Sequence, residues 1–172
     1  ARYDESKRLA DTLCRVFYRE YGLPIKIARP FNVYGPGLRI DDRRIIPDLL
    51  SNALKNEPIT LYSTGKDTRS FCYVSDAMIG FFKILLSDFN GEAFNVGSGA
   101  EEISMNDLAR VVSELFDNKI EIVHRENPDR DYTKDNPHRR CPDLTKIRNL
   151  LGYEPQVDLR AGLRRLIAWY KR

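Results

Sequence analysis

The chain has 172 residues, 42% of them hydrophobic, which is about one globular domain with a sizeable core. Its 28 basic and 25 acidic residues leave a net charge of +3. Because the two signs are interleaved, no charge run indicates a nucleic-acid or membrane surface. No stretch approaches the ~20 apolar residues of a membrane span, and no signal peptide is visible.

The cysteines and histidines indicate neither disulfides nor a metal site. Cys14, Cys72 and Cys141 are odd in number, widely spaced and without metal-ligand spacing, which predicts reduced thiols in a cytoplasmic protein. His124 and His138 have no third ligand spaced with them and are interpreted as solvated loop residues. The chain also lacks an initiator methionine, so we expect it to be a piece of a longer protein.

Hydrophobic periodicity predicts helices alternating with short strands, the pattern of an α/β fold. A helix over 4–21 should end at Gly22, before Pro24, and a strand over 25–28 follows it. Further helical segments are predicted at 45–56, 77–86, 108–116, 144–151 and 159–172, and further strands at 59–62, 93–96 and 119–123. The predicted N-terminal helix caps are Ser75 or Asp76, Ser104 together with Asp107, and Asp143. Residues 124–142 carry almost no aliphatic side chain, as in a functional or disordered loop.

Tyr3 and Lys7 lie one turn apart on the first predicted helix. A phenol titrates near pH ~10, but a fixed cation one turn away stabilises the phenolate and lowers its pKa toward the working pH. Tyr3 is therefore a candidate base for a substrate hydroxyl. With 9 tyrosines in the chain the spacing also arises by chance, and Tyr62 and Lys66 share it across a predicted turn.

Residues 29–37, Arg-Pro-Phe-Asn-Val-Tyr-Gly-Pro-Gly, form a rigid turn after a strand, where open α/β sheets bind ligands. Tyr-x-x-x-Lys, a helix, a strand and this segment together resemble the extended short-chain dehydrogenase/reductase superfamily. Its members are NAD-dependent nucleotide-sugar epimerases, dehydratases and decarboxylases. The resemblance implies an α/β fold with the edge of a Rossmann-type NAD-binding domain over 1–33. A small mixed α/β nucleotide-sugar-binding lobe is implied over 34–172.

The same resemblance implies where NAD would bind. Tyr3 and Lys7 would lie beside the nicotinamide, as catalytic and cofactor-binding residues. Pro30, Phe31 and Asn32 would pass between the cofactor and the sugar nucleotide.

Further residues are implied to hold the sugar nucleotide. Arg69 opens a segment that resembles the family pattern Arg-x-Phe/Trp-x-Tyr-Val-x-Asp, and an arginine can hold a diphosphate through two parallel hydrogen bonds. Arg44 precedes a predicted helix, where a cation is disfavoured, so it is either a solvated side chain or a partner of a bound anion. In the family a basic residue near this position helps hold the nucleotide. Asn95 and Tyr62 are the other candidate substrate contacts.

Arg140 favours one reaction of the family. Arg-x-Pro-Asp, a helix and Leu-Gly-Tyr-Glu-Pro resemble the UDP-glucuronate decarboxylase branch, in which the arginine matching Arg140 contacts the sugar carboxylate. Cys141 stands where a lysine is common in that branch. Because related epimerases and dehydratases also carry arginines in this loop, 4-epimerisation and 4,6-dehydration stay open. A non-catalytic module that binds nucleotide sugars or a partner is the alternative from another class.

The family's glycine-rich pyrophosphate turn and the acidic residue for the ribose are absent from these 172 residues. We therefore expect the chain on its own to be inactive and not to bind NAD. The apolar residues of 9–21 exceed what one Rossmann edge covers, which predicts a homodimer of the intact protein.

Overall fold

Helices and short strands alternate through the residues that the computed structural model describes, 2–99, 101–125 and 137–172, with Arg2 and Tyr3 described by their backbone alone. The helices are α1 (Arg2–Tyr21), α2 (Ile45–Leu54), α3 (Val74–Leu85), α4 (Met105–Glu114), α5 (Thr145–Leu151) and α6 (Leu159–Tyr170). The strands are β1 (Ile27–Pro30), β2 (Val33–Tyr34), β3 (Ile59–Leu61), β4 (Thr68–Ser70), β5 (Cys72–Tyr73), β6 (Ala93–Val96), β7 (Glu102–Ser104), β8 (Ile122–His124) and β9 (Arg139–Arg140). This architecture confirms the predicted α/β class.

Two predicted helix ends are confirmed by their backbone chemistry. α1 ends before Gly22, whose φ of 64° is a left-handed conformation that glycine adopts without a side-chain clash. The Gly22 N–H donates to Tyr18 O at 3.0 Å. Ser104 is the N-terminal cap of α4, and its Oγ accepts a hydrogen bond from the Asp107 N–H at 3.1 Å. The serine thereby satisfies one of the free N–H groups at the helix start.

The predicted cap of α3 is wrong. The helix begins at Val74, and no side-chain hydrogen bond caps it. The buried carboxylate of Asp76 instead accepts backbone hydrogen bonds from Gln156 at 3.1 Å and Val157 at 2.9 Å. A buried carboxylate needs such donors, and here they come from the segment that leads into α6. Asp76 therefore joins two parts of the chain.

The predicted cap of α5 is displaced by one residue. The capping position belongs to Leu144, and Asp143 precedes it. The Asp143 carboxylate still accepts from the Thr145 N–H at 2.8 Å, so it supports the first turn without being the cap.

The strands are short and differ most from the predictions. β1 and β8 begin two and three residues later than predicted. β2, β4, β5, β7 and β9 contain two or three residues each, too few for an alternating pattern to be recognised. Phe71 lies between β4 and β5, Tyr73 ends β5, and both side chains are buried.

Four small sheets organise the described residues. β1 pairs with β6, β2 with β5 and β3 with β8, each in parallel. In the fourth sheet β4 lies in the centre, antiparallel to β7 and parallel to β9. The parallel pairs arise because helices connect strands that run in the same direction.

Two hydrophobic clusters fill the interior. The larger lies between α2, α4 and α6 and includes Leu50, Leu108 and Leu163. The smaller lies beside β6 and includes Phe94 and Tyr153. Among the described residues, no helix is both long and apolar enough to cross a membrane.

The apolar side chains of α1 are more exposed than those of the two clusters. The carboxylate of Asp11 ties the helix to β1 by accepting from Arg29 Nη2 at 2.6 Å. Several large apolar side chains remain exposed, with Leu9 at 60% and Phe17 at 44%.

Candidate functional site

A cleft of about 310 Å³ opens where the turn after β1, the start of α2, β4 and β9 meet. One wall is cationic and the other largely apolar. The residues that line it are Asn32, Val33, Tyr34, Leu38, Arg44, Ile45, Ile46, Pro47, Asp67, Arg69, Phe71, Met105 and Arg140. A concave site with an apolar lining and a few charged groups is typical of ligand binding.

Arg69 and Arg140 lie side by side on the cationic wall, because they are paired residues of the parallel strands β4 and β9. The Arg69 guanidinium donates from Nη1 to Thr68 O at 2.7 Å and to His138 O at 3.2 Å. Within the described part of the chain, no carboxylate lies at ion-pair distance from Arg140. Like charges opposite each other destabilise a sheet, so an anion bound between them would be stabilised electrostatically.

Arg44 reaches the cleft from the residue before α2. Asp42 holds its guanidinium through two hydrogen bonds, Nε to Oδ1 at 2.9 Å and Nη2 to Oδ2 at 2.7 Å. These bonds lower the pKa of the Asp42 carboxyl. The anion that offsets Arg44 at this helix start is therefore a side chain of the same loop. A ligand phosphate would have to share or displace it.

Asn32 lines the cleft in an unusual backbone conformation. Its φ of 41° lies in the left-handed region, which asparagine tolerates better than most residues. Its side-chain Nδ2 donates to Ser70 O at 2.8 Å, and its backbone carbonyl accepts from the Cys72 N–H at 3.2 Å. These two bonds fasten the turn after β1 to β4 and β5.

Comparison with known proteins agrees with this geometry. Residues 1–97 match the model of the NAD dependent epimerase/dehydratase family, which is more than half of the chain. The chain belongs to this family. Its relatives include UDP-glucuronic acid decarboxylase 5 of Arabidopsis thaliana, 44% identical over 94% of this chain and 45% of that protein. Another is UDP-glucuronic acid decarboxylase 1 of Xenopus tropicalis, 34% identical over 99% of this chain and 39% of that protein.

Several solved structures superpose on most of the chain. Pal from Bacillus thuringiensis has a TM-score of 0.90 and 30% identity, over 98% of this chain and 52% of that one. UDP-glucuronic acid 4-epimerase from Bacillus cereus, in complex with UDP-glucuronic acid and NAD, has a TM-score of 0.82 and 28% identity. That match covers 94% of this chain and 49% of the epimerase. The chain thus spans about half the length, or less, of the proteins that it matches.

Two of the residues expected to contact the cofactor, Pro30 and Phe31, lie at one edge of the β1–β6 pair. Pro30 ends β1, and the Phe31 N–H donates to Val96 O at 2.9 Å. Because the strands are parallel, their carboxyl ends meet at this edge, where open α/β sheets bind ligands. Lys7 is an exposed residue of α1 and Tyr3 lies one turn before it; the Tyr3 side chain is outside the described residues.

Four of the predicted substrate contacts meet in the cleft, namely Asn32, Arg44, Arg69 and Arg140. Two others are not among its lining residues. Tyr62 follows β3 with 45% of its surface exposed. The Asn95 side chain donates from Nδ2 to Asp143 O at 3.0 Å, so it joins β6 to the segment before α5.

The sequence interpretation missed several members of the cleft. Asp67 stands in the turn before β4, and its Oδ1 lies 2.8 Å from Nδ1 of His138; a charged residue in a turn gives no signal that distinguishes it from a solvated one. Tyr34 donates from its hydroxyl to Leu159 O at 3.2 Å, and burial raises its pKa. Phe71 and Met105 complete the apolar wall, and their sequence pattern indicates only core packing.

Proposed function

We propose that the intact protein is an NAD-dependent enzyme that acts on a nucleoside diphosphate sugar, and that its reaction is decarboxylation of UDP-glucuronate through a 4-keto sugar. The observation that carries this proposal is the pair Arg69 and Arg140 on one wall of the cleft. Two adjacent guanidinium groups suit a substrate with two anionic groups, a diphosphate and a carboxylate. The similarity to UDP-glucuronic acid decarboxylases supports the same substrate.

The diphosphate would be held by Arg69, with Arg44 and Asn32 as neighbours in the cleft. The planar fork of Arg69 is already oriented by two carbonyl oxygens, so little side-chain entropy is lost when an anion binds. Arg44 would also bind the diphosphate once its guanidinium shares its hydrogen bonds between Asp42 and a phosphate group. Tyr62 and Asn95 remain candidate contacts for parts of the substrate that extend beyond the cleft.

Tyr3 is proposed as the base that takes the proton of the sugar 4-hydroxyl, with Lys7 stabilising its phenolate. When bound, NAD would supply the acceptor and donor of hydride at C4 of the sugar. Pro30 and Phe31 fit the nicotinamide end of such a site, since the β1–β6 pairing fixes their backbone at the ligand-binding edge. Arg140 would lie across the substrate site from the nicotinamide.

The chemistry of decarboxylation explains why Arg140 matters. A 4-keto sugar with a carboxylate on C5 is a β-keto acid, in which the carbonyl accepts the electron pair of the breaking carbon–carbon bond. Carbon dioxide leaves, and C5 then takes up a proton. Arg140 would hold the carboxylate in one orientation until that bond breaks.

The remaining organisation of the intact protein follows the same proposal. Residues 1–33 would belong to the Rossmann-type domain and 34–172 to the substrate lobe, with β6 extending the sheet edge that β1 begins. The exposed apolar face of α1 is the proposed homodimer contact. A cytoplasmic location would suit three free cysteines.

The test is to incubate the full-length protein with UDP-glucuronate and NAD and to measure the mass of the product. A product lighter by one carbon dioxide is expected. An isomer of unchanged mass would instead indicate a 4-epimerase, the second candidate, because the Bacillus cereus 4-epimerase of similar fold binds UDP-glucuronic acid. Turnover of UDP- or dTDP-glucose without any reaction of UDP-glucuronate would make Arg140 a nucleotide contact.

A second experiment separates an enzyme from a binding module. The variant Tyr3→Phe keeps the ring and removes the hydroxyl that takes the proton. Loss of turnover with unchanged sugar-nucleotide binding is expected. Unchanged turnover would eliminate Tyr3 as the base.

A further inference from the structure

We propose that Glu102 is a positioning residue for Arg140. Glu102 binds the face of the β7–β4–β9 sheet that points away from the cleft, and so holds Arg140 on the face that points into it. The inference rests on the proposed function, in which Arg140 binds the sugar carboxylate. Glu102 itself does not line the cleft. It would act through Arg139 and Thr68, and we call these three residues the back-face clamp.

The clamp spans all three strands. The Glu102 carboxylate on β7 accepts from Arg139 on β9, with Nε 2.9 Å from Oε1 and Nη2 2.8 Å from Oε2. Between them, the Thr68 hydroxyl on β4 donates to Oε1 of the same carboxylate. These hydrogen bonds lower the pKa of Glu102, which keeps the carboxylate ionised. Three donors on one carboxylate make this a network and not an isolated surface ion pair.

The strand register explains how the clamp reaches Arg140. Thr68 pairs with Arg139, and Arg69 pairs with Arg140. Side chains of paired residues share a face, and successive side chains alternate between faces. Thr68 and Arg139 are therefore on the clamp side, whereas Arg69 and Arg140 are on the cleft side, in agreement with the lining of the cleft.

β9 by itself does not select this register. It has two residues, and both are arginines, so a shift by one residue would exchange Arg139 and Arg140 between the faces. In the observed register the carboxylate of Glu102 binds Arg139 on the clamp side, which holds β9 against the sheet and keeps Arg140 on the cleft side.

Contacts at the N-terminal side of β9 decide which arginine enters the cleft. The carbonyl of His138 accepts from the Thr68 N–H at 2.9 Å, and its ring lies beside Asp67. The backbone hydrogen bond sets the register of β9 on β4. Glu102 then holds β9 in that register from the face opposite the cleft.

The experiment compares the affinities of the full-length protein for UDP-glucuronate and UDP-glucose, which differ by the carboxylate. Both dissociation constants are measured by calorimetry for the wild type, Glu102→Gln, Arg140→Gln and the double variant. Glu102→Gln should reduce the preference for the uronate about three- to tenfold. Arg140→Gln should abolish it, and the double variant should resemble Arg140→Gln, because the two residues act in series. Thr68→Val, which removes one donor of the clamp, should give a smaller change in the same direction.

Glu114→Gln is the matched control, since it breaks an exposed ion pair with Arg160 on α6, and it should leave the preference unchanged. A full preference in Glu102→Gln together with its loss in Arg140→Gln would overturn the positioning role alone. A full preference in Arg140→Gln would overturn the carboxylate-binding role of Arg140, and the positioning role with it.

Discussion

Removal of one buried hydroxyl, in the variant Tyr153→Phe, gives the sharpest test of the packing behind the site. The Tyr153 side chain is fully buried in the smaller cluster. Its hydroxyl donates to Gly97 O at 2.9 Å and lies 3.6 Å from the Cys72 Sγ. Gly97 directly follows β6, and a Cβ built on it would lie 3.1 Å from the Phe31 Cβ. The hydroxyl therefore supports the edge where Phe31 lies.

The expected cost follows from burial. The variant removes a single oxygen atom, so little apolar packing is lost, but the Gly97 carbonyl loses its donor where water does not reach it. A buried acceptor left without a partner costs about 1–3 kcal/mol, and we expect about 2 kcal/mol for Tyr153→Phe. Tyr170→Phe is the matched control: its hydroxyl donates to Leu38 O at 2.9 Å from a half-buried side chain. Because water can replace that bond, about 0.5 kcal/mol is expected.

The assay is urea unfolding of the full-length protein, with the free energy of unfolding extrapolated to water for the wild type and both variants. The slope with urea should stay the same, since neither variant changes the surface that unfolding exposes. If Tyr153→Phe lost no more free energy than Tyr170→Phe, the argument that burial makes this hydrogen bond valuable would be refuted.

Three further predictions concern reactivity, substrate binding and assembly. Burial raises the pKa of Cys72 from 9.0 to about 11, so iodoacetamide should modify it near neutral pH only after unfolding. Alkylation of Cys72 in the native state would contradict this expectation. Because the thiol ionises at lower pH in the unfolded chain, the stability that the buried neutral thiol contributes should be lost as the pH rises from about 9 through 11. Arg69→Lys keeps the charge but loses the planar donors, so KM for the sugar nucleotide should rise about tenfold, whereas Arg110→Lys, at an exposed residue of α4, should not change it. Phe17→Glu should convert a homodimer to a monomer in light scattering, and an unchanged mass would show that this face of α1 is not the interface.

Much of the local structure could be predicted from the sequence, because it depends on neighbouring residues. The apolar spacing of 4–21 and the following Gly22 predict α1 and its end, and Ser104 with Asp107 predicts the start of α4. The Arg-Pro-Phe-Asn segment places Asn32 at a ligand-binding turn. These interactions span a few residues, so a single sequence contains the information for them.

Tertiary structure decided how the charged side chains are used. The sequence cannot show that Asp76 bonds the segment before α6 or that Asp67 enters the cleft, because each outcome depends on which element lies nearby. The clearest case is the pair Arg139 and Arg140, identical in type and adjacent in the chain. One pairs with Glu102 and the other faces the cleft because strand pairing separates successive side chains to opposite faces of a sheet.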